Sequence, residues 1–264
     1  MTQRDPSQRD PSQRDPTQRF SDRVENYVRS RPGYPPEVLA TLREDCGLTP
    51  QAPIADVASG TGIFTRLLLE NGNPVFAVEP NAEMRAAAER LLTSFPNLTS
   101  VDGSAEATGL ADHSVFLVTA AQAAHWFNLP RTRAEFVRTL QPGGWVALLW
   151  NERVISTTQF LRDYEQLLLD FAIDYKEVRH EKTTAIIGSF FAPLPHREKI
   201  FSTFQDLHYA GLEQRLLSSS YAPLADHPNH APMMRQLRCI FDAAQHDGRV
   251  RLEYQTLLYY AQFP

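Results

Sequence analysis

Gly60, Gly62 and Glu79 are the residues whose types and spacing could do chemistry in this chain. Two glycines separated by one residue leave backbone bare, so a ligand can approach it closely. A carboxylate 19 residues after Gly60 can accept hydrogen bonds from both ribose hydroxyls of a bound nucleoside. Elements must hold these groups together. The apolar run IADVA, residues 54–58, reads as a buried strand, and SGTG breaks it. Phe64, Leu67 and Leu68 then recur at helical spacing, and PVFAVE forms a second strand that ends on Glu79.

A dinucleotide site wants G-x-G-x-x-G, and Thr65 stands at the third glycine position here. The stretch DVASGTG instead resembles the D-x-G-x-G-x-G motif of class I S-adenosylmethionine (SAM) dependent methyltransferases, with Ala58 at the first glycine. VEPNAEM resembles the acidic segment of that family, and GSAEATGL its adenine loop. LQPGGWVALLW resembles its fifth strand, and YVRSRPGYP a segment of the type 11, trans-aconitate-methyltransferase-like group. The likeness is densest over residues 20–151; beyond that it rests on SSSYAP and LEYQTLLYY.

The resemblance implies an α/β fold: a Rossmann-like, seven-stranded, mostly parallel sheet with helices on both faces and C-terminal cap insertions. It implies SAM as cofactor, held by Tyr27, Arg31, Asp56, Ala58, Ser59, Gly60, Gly62, Glu79, Pro80, Met84, Ser104, Ala105, Glu106, Ala121 and Gln122. Arg31 is a candidate partner for the methionine carboxylate, Glu79 for the ribose, and Ser104–Glu106 for the adenine.

Ligands of open α/β sheets bind beyond the carboxyl ends of the strands. His125, just after the fourth strand, is therefore a candidate general base or substrate donor, or else a packing partner of Trp126. Tyr34, Trp126, Arg153, Phe191 and Tyr221 are candidate substrate contacts, although core is the favoured reading of Phe191. His227 and His230 form H-x-x-H without the further ligands a metal needs, so no metal is expected.

Strands are expected at 54–58, 75–79, 98–102, 114–120 and 144–150, with helices near 62–70, 81–94 and 130–139. A long helix is read at 156–180, a Pro- and aromatic-rich loop in GSFFAPLPH, strands in FQDLHYA and RLEYQTLLYYA, and a helix at 231–246. Residues 152–200 and 211–248 are expected to insert over the site.

Residues 2–19 repeat the unit QRDPS. The unit has no apolar residue with which to offset ordering entropy, so 1–19 is expected to be a disordered tail ahead of a domain at 20–264. Within that domain, 20–151 would bind the cofactor and 152–264 form the substrate cap and last strands.

Hydrophobic content of 42% suffices for a core, and a net charge of −5 without a basic block disfavours nucleic acid. No apolar run is long enough to span a membrane, and no signal-peptide pattern opens the chain. Two distant cysteines suggest a reducing compartment and exclude the three-cysteine motif of radical SAM enzymes. The expectation is a cytoplasmic monomer or homodimer acting on a small molecule, with O-methylation of a carboxylic acid one candidate reaction. A nicotinamide oxidoreductase and a non-catalytic SAM-binding protein are the alternatives.

Overall fold

The computed structural model describes residues 31–173, 175 and 183–264. Tyr27, the repeat at 1–19 and the end of the expected helix at 156–180 lie outside the described residues.

Seven strands form one sheet: β1 (Ile54–Val57), β2 (Val75–Val78), β3 (Leu98–Val101), β4 (Val115–Ala121), β5 (Leu140–Arg153), β6 (Arg197–Leu207) and β7 (Val250–Gln262). Their order is β3-β2-β1-β4-β5-β7-β6. The pairings through β5 are parallel, and β7 runs antiparallel to both β5 and β6. The expected sheet, including its late antiparallel strand, is present. Strand order reverses between β1 and β4, which opens a crevice at their carboxyl ends.

The helices are α1 (Pro36–Cys46), α2 (Ile63–Glu70), α3 (Ala82–Leu91), α4 (Leu129–Thr139), α5 (Gln159–Phe171), α6 (Thr183–Phe191), α7 (Tyr209–Leu217) and α8 (His230–Ala244). Local chemistry sets their starts. Asn81 and Asn128 cap α3 and α4 by accepting from Met84 N at 2.9 Å and Arg131 N at 3.4 Å. Thr158 does the same for α5, accepting from Leu161 N.

Three segments differ from the sequence reading. A helix that the sequence reading did not place opens at Pro36, which begins α1, where a missing N–H costs nothing. Gly188–Phe191, expected in a loop, close α6. FQDLHYA is divided, because β6 ends at Leu207 and Tyr209 begins α7.

Each sheet face carries its own core. Val57, Val118, Leu148, Phe136, Phe190 and Phe191 pack on one face. Leu42, Ile54, Leu68, Leu149 and Leu258 pack on the other, beneath α1 and α2. A third cluster joins α5, α7 and α8 to the start of β7 through Leu161, Tyr164, Leu212, Leu237 and Tyr254. This cluster follows β5 in the chain, and Arg215 of α7 reaches the crevice from it.

Candidate functional site

The crevice is lined by Asp56, Ala58, Ser59, Gly60, Thr61, Ile63 and Phe64 from β1 and the turn after it. Arg31, Pro32 and Tyr34 come from ahead of α1, Ala121 and Gln122 from the end of β4, Asn151 from β5 and Arg215 from α7. It encloses about 560 Å³ of unfilled space, part of it open to solvent.

The turn has an unusual backbone. Ala58, Gly60 and Gly62 all have positive φ, at 55°, 58° and 81°. The one departure from the glycine motif therefore places a Cβ in the left-handed region that glycine favours. Gly62 also needs to be bare for a second reason: an added Cβ would meet Leu92 Cδ1 at 2.5 Å. Beside Gly60, by contrast, no atom of the described residues lies within 4 Å of where a Cβ would stand. The backbone there is open to a ligand. Ser59 Oγ and Thr61 Oγ1 are buried and have no hydrogen-bond partner among the described residues. Buried hydroxyls without partners cost free energy unless something else meets them.

Two carboxylates secure the turn. Asp56 is 1% exposed and accepts from Thr65 Oγ1 at 2.6 Å and Thr119 Oγ1 at 2.8 Å. Burial raises its pKa to about 6, against the pull of those hydroxyls. Glu79 ends β2 behind the turn. Its Oε2 accepts from Gly60 N and its Oε1 from Asn81 N, both at 2.9 Å. Burial pushes this carboxyl up, and the two N–H groups pull it down. Each oxygen retains a lone pair for a further donor.

Pro80 and Met84 follow Glu79 into α3, and Met84 is buried. Ser104 and Ala107 exchange backbone hydrogen bonds of 3.0 and 3.2 Å around Ala105 and Glu106, fixing a loop after β3. The Glu106 carboxylate turns to α4, accepting from Asn128 N at 2.8 Å and Thr132 Oγ1 at 3.3 Å. Burial pushes it up, yet these hydrogen bonds hold it below its ordinary value.

Eight of the residues expected at the cofactor or substrate share the crevice wall: Arg31, Tyr34, Asp56, Ala58, Ser59, Gly60, Ala121 and Gln122. Tyr34 packs edge-on against Phe64 at 4.9 Å. Gln122 has φ of 60°, and its Nε2 donates to Asn151 O at 3.0 Å.

The other substrate and base candidates sit elsewhere. His125 is exposed on a short 3-10 turn, its ring 4.6 Å from that of Trp126, and neither lines the crevice. Phe191 is fully buried among Phe190, His196 and Phe263, which corrects its reading as a substrate contact. Arg153 is ion-paired with Glu165, hydrogen-bonded to Tyr175 and 4.9 Å from the Tyr164 ring. Tyr221 stacks edge-on against Tyr175, in the same cap cluster. His227 and His230 settle local backbone, accepting from Asn229 N and meeting Pro223 O. Among the described residues no group of three or more ligating side chains could hold a metal.

Asn151 and Arg215 were not foreseen as site residues. Asn151 Nδ2 donates to Gly33 O at 3.0 Å, and its Oδ1 accepts from Thr256 Oγ1 at 2.6 Å. Its place at the end of a core strand was a readable signal; Arg215, inside a cap helix, offered none.

This sheet order, with its glycine turn and the acidic residue closing β2, defines a class I methyltransferase fold. Residues 55–148 match the family model described as a methyltransferase domain. Over those residues the chain is similar to methyltransferase domains, and its sheet shares their fold. It is 39% identical over 134 residues to an uncharacterized methyltransferase of Mycobacterium tuberculosis, covering 51% of this chain and 52% of that one. It is 33% identical over 135 residues to another from Schizosaccharomyces pombe, covering 51% and 53%. The chain thus spans about half the length of the curated relatives it matches. Among solved structures, a candidate type II methyltransferase of Anaeromyxobacter dehalogenans superposes with a TM-score of 0.67 at 24% identity, over 88% of this chain and 97% of that one. No helix among the described residues is long and apolar enough to cross a membrane.

Proposed function

We propose that the protein transfers a methyl group from SAM to a small-molecule acceptor, with O-methylation of a carboxylic acid the reading the site supports best. The observation that carries the cofactor assignment is the pair of buried, unpartnered hydroxyls, Ser59 and Thr61, flanking open backbone at Gly60. Those donors and that space fit a polar ligand at the strand ends. SAM, when bound, supplies a methyl group activated by its sulfonium.

The chain's own residues bind and orient. Glu79 accepts from the ribose hydroxyls while it braces Gly60. Ser104–Glu106 flank the adenine, and Pro80 and Met84 back that side. Arg31 pairs with the methionine carboxylate. Tyr34 and Phe64 give the crevice an aromatic edge. Holding acceptor and methyl at near-attack distance can supply about 7–11 kcal/mol.

Among the described residues the wall holds no histidine and one carboxylate, Asp56, which is held by two threonines. A carboxylate acceptor suits such a wall because it attacks without a base, whereas a phenol or amine usually needs one. The same reading takes a small molecule as partner rather than nucleic acid or membrane, and a cytoplasmic monomer or homodimer.

The test is methyl transfer from labelled SAM to carboxylic, phenolic and amine panels, by wild type and His125→Ala. Turnover of acids that survives His125→Ala is expected. Turnover confined to phenols or amines, and lost about 10²–10⁴-fold in the variant, would replace the carboxylate reading by base catalysis. Binding of NADH but not SAM in calorimetry would favour the oxidoreductase. Binding of SAM with no turnover would favour a non-catalytic protein.

A further inference from the structure

We propose that Asn151 is a positioning residue: its amide, aimed by Thr256, latches residues 31–34 in place as a wall of the crevice and so sets how tightly the crevice holds its ligand. This rests on reading the crevice as a SAM site, and it deepens that reading by naming what holds one wall ready.

Arg31, Pro32 and Tyr34 line the crevice, yet they belong to no helix or strand, and α1 begins only at Pro36. Pro32, Pro35 and Pro36 have no backbone N–H, which leaves this stretch few donors with which to fasten itself. It is held by other elements. Gly33 O accepts from Asn151 Nδ2 of β5 at 3.0 Å, Arg31 Nη2 donates to Ser218 O at 3.0 Å, and Tyr34 packs edge-on against Phe64 of α2.

The two ends of the Asn151 amide are chemically different, and the site tells them apart. Gly33 O can only accept, so the end that faces it is Nδ2. Oδ1 then meets Thr256, whose Oγ1 donates to it at 2.6 Å. Thr256 is fully buried in β7 and stands directly opposite Asn151 in the β5–β7 register, so strand pairing itself fixes the hydroxyl against the amide. Asn151 is 8% exposed, which leaves its amide little water to turn to instead. Its main chain works on a second wall element: Asn151 O accepts from Gln122 Nε2 at 3.0 Å, and Gln122 also lines the crevice. A ligand that touches a wall already held in place does not have to order it on binding, and the saved entropy appears as affinity.

The test is calorimetric titration of the full chain with S-adenosylhomocysteine (SAH). Asn151→Asp puts a carboxylate oxygen where the donor to Gly33 O stood, and should weaken SAH binding about ten-fold near pH 8. On acidification the new carboxyl takes up a proton and can donate again, so affinity should approach that of wild type at the same pH. The charged groups nearby, Arg31, Asp56, Glu79, Glu152, Arg153 and Arg215, are common to both proteins, so comparison at each pH removes their effect. Thr256→Val should also weaken binding about ten-fold, without recovery in acid, whereas Thr256→Ser keeps the hydroxyl and should stay within about three-fold of wild type. Wild-type affinity in Asn151→Asp near pH 8, or a loss that acid does not reverse, would overturn the proposal. Should Asn151→Asp not fold, the Thr256 pair decides: equal affinity in the valine and serine variants refutes the latch. A second measurement does not depend on the cofactor. The dipeptide Gly-Tyr occurs once, at Gly33-Tyr34, so carbonyl-labelled glycine with amide-labelled tyrosine gives a single NMR signal for the Gly33 carbonyl. Thr256→Val must shift that signal, and Thr256→Ser must not; an unmoved signal in the valine variant refutes the latch. A shifted signal with unchanged SAH affinity refutes its bearing on binding. If the signal shifts while SAH fails to bind wild type, the SAM reading falls and the latch stands.

Discussion

Gly60 donates its backbone N–H to Glu79 Oε2 at 2.9 Å, so the turn after β1 is tied to the acidic residue that ends β2. Glu79 thus has two tasks: bracing the turn and, in the proposed complex, receiving the ribose. Glu79→Ala should remove hydrogen bonds to a charged acceptor worth about 1.5–3 kcal/mol each. SAM affinity and thermal stability should fall together. Glu79→Gln keeps one acceptor oxygen and should fall between. Unchanged SAM affinity in the alanine variant, measured by calorimetry, would sink the ribose assignment.

The two small residues flanking the turn should respond in opposite directions. Gly62→Ala meets Leu92 and a φ of 81°, and should cost about 2–3 kcal/mol in urea unfolding. Ala58→Gly removes a Cβ from a φ of 55° and should leave stability equal or raised by up to about 1 kcal/mol. A destabilising Ala58→Gly would mean that the Cβ makes packing contacts worth more than the strain.

Asp56 predicts a pH dependence of definite sign. Burial raises its folded pKa to about 6 from an ordinary 3.8, so the folded chain binds the proton more tightly than the unfolded one. Stability from this group therefore increases as pH falls from 7 to 5, by about 1 kcal/mol. Asp56→Asn should flatten that component. Chemical denaturation of both proteins at pH 7 and pH 5 gives the difference; parallel profiles would show that Asp56 stays ionised in the fold.

Arg153 and Glu165 form a buried pair, with side chains 10% and 9% exposed. Removing one partner strands the other, so Arg153→Met should cost about 3 kcal/mol. The double variant Arg153→Met/Glu165→Leu should recover most of that. Neither residue lines the crevice, so SAH affinity should hold throughout. A double variant as unstable as the single one would mean that cap packing, rather than charge, explains the loss.

β1 and β2 were legible because each is a short apolar run closed by a turn signal, IADVA-SGTG and PVFAVE-PN. The last strand was legible because Leu252, Tyr254, Thr256, Leu258 and Tyr260 alternate, and all five are buried on one side. What escaped notice depends on context. Pro36 can turn a chain or open a helix, and α1 exists because Val38, Leu39 and Leu42 find a sheet face to cover. Phe190 and Phe191 look alike as pocket or core until Phe136 and Phe263 are seen against them. The cofactor side of the site is local in sequence and could be read. The cap side is built by tertiary packing, so Arg153 was chosen for standing at a strand end while Arg215, eight residues past β6, was passed over.

Arg31 Nη2 donates to Ser218 O across 187 residues of chain, and Asn151 Nδ2 donates to Gly33 O across 118. These links make the pocket a late product of synthesis. The glycine turn leaves the ribosome well before the wall that faces it, and domains fold from the N-terminus as they emerge. A nascent chain stopped after β5 would carry the full cofactor signature without the part of the crevice wall that α7 supplies. The crevice wall is therefore complete only when α7 docks, and a fragment recognisable by its motif lacks part of that wall.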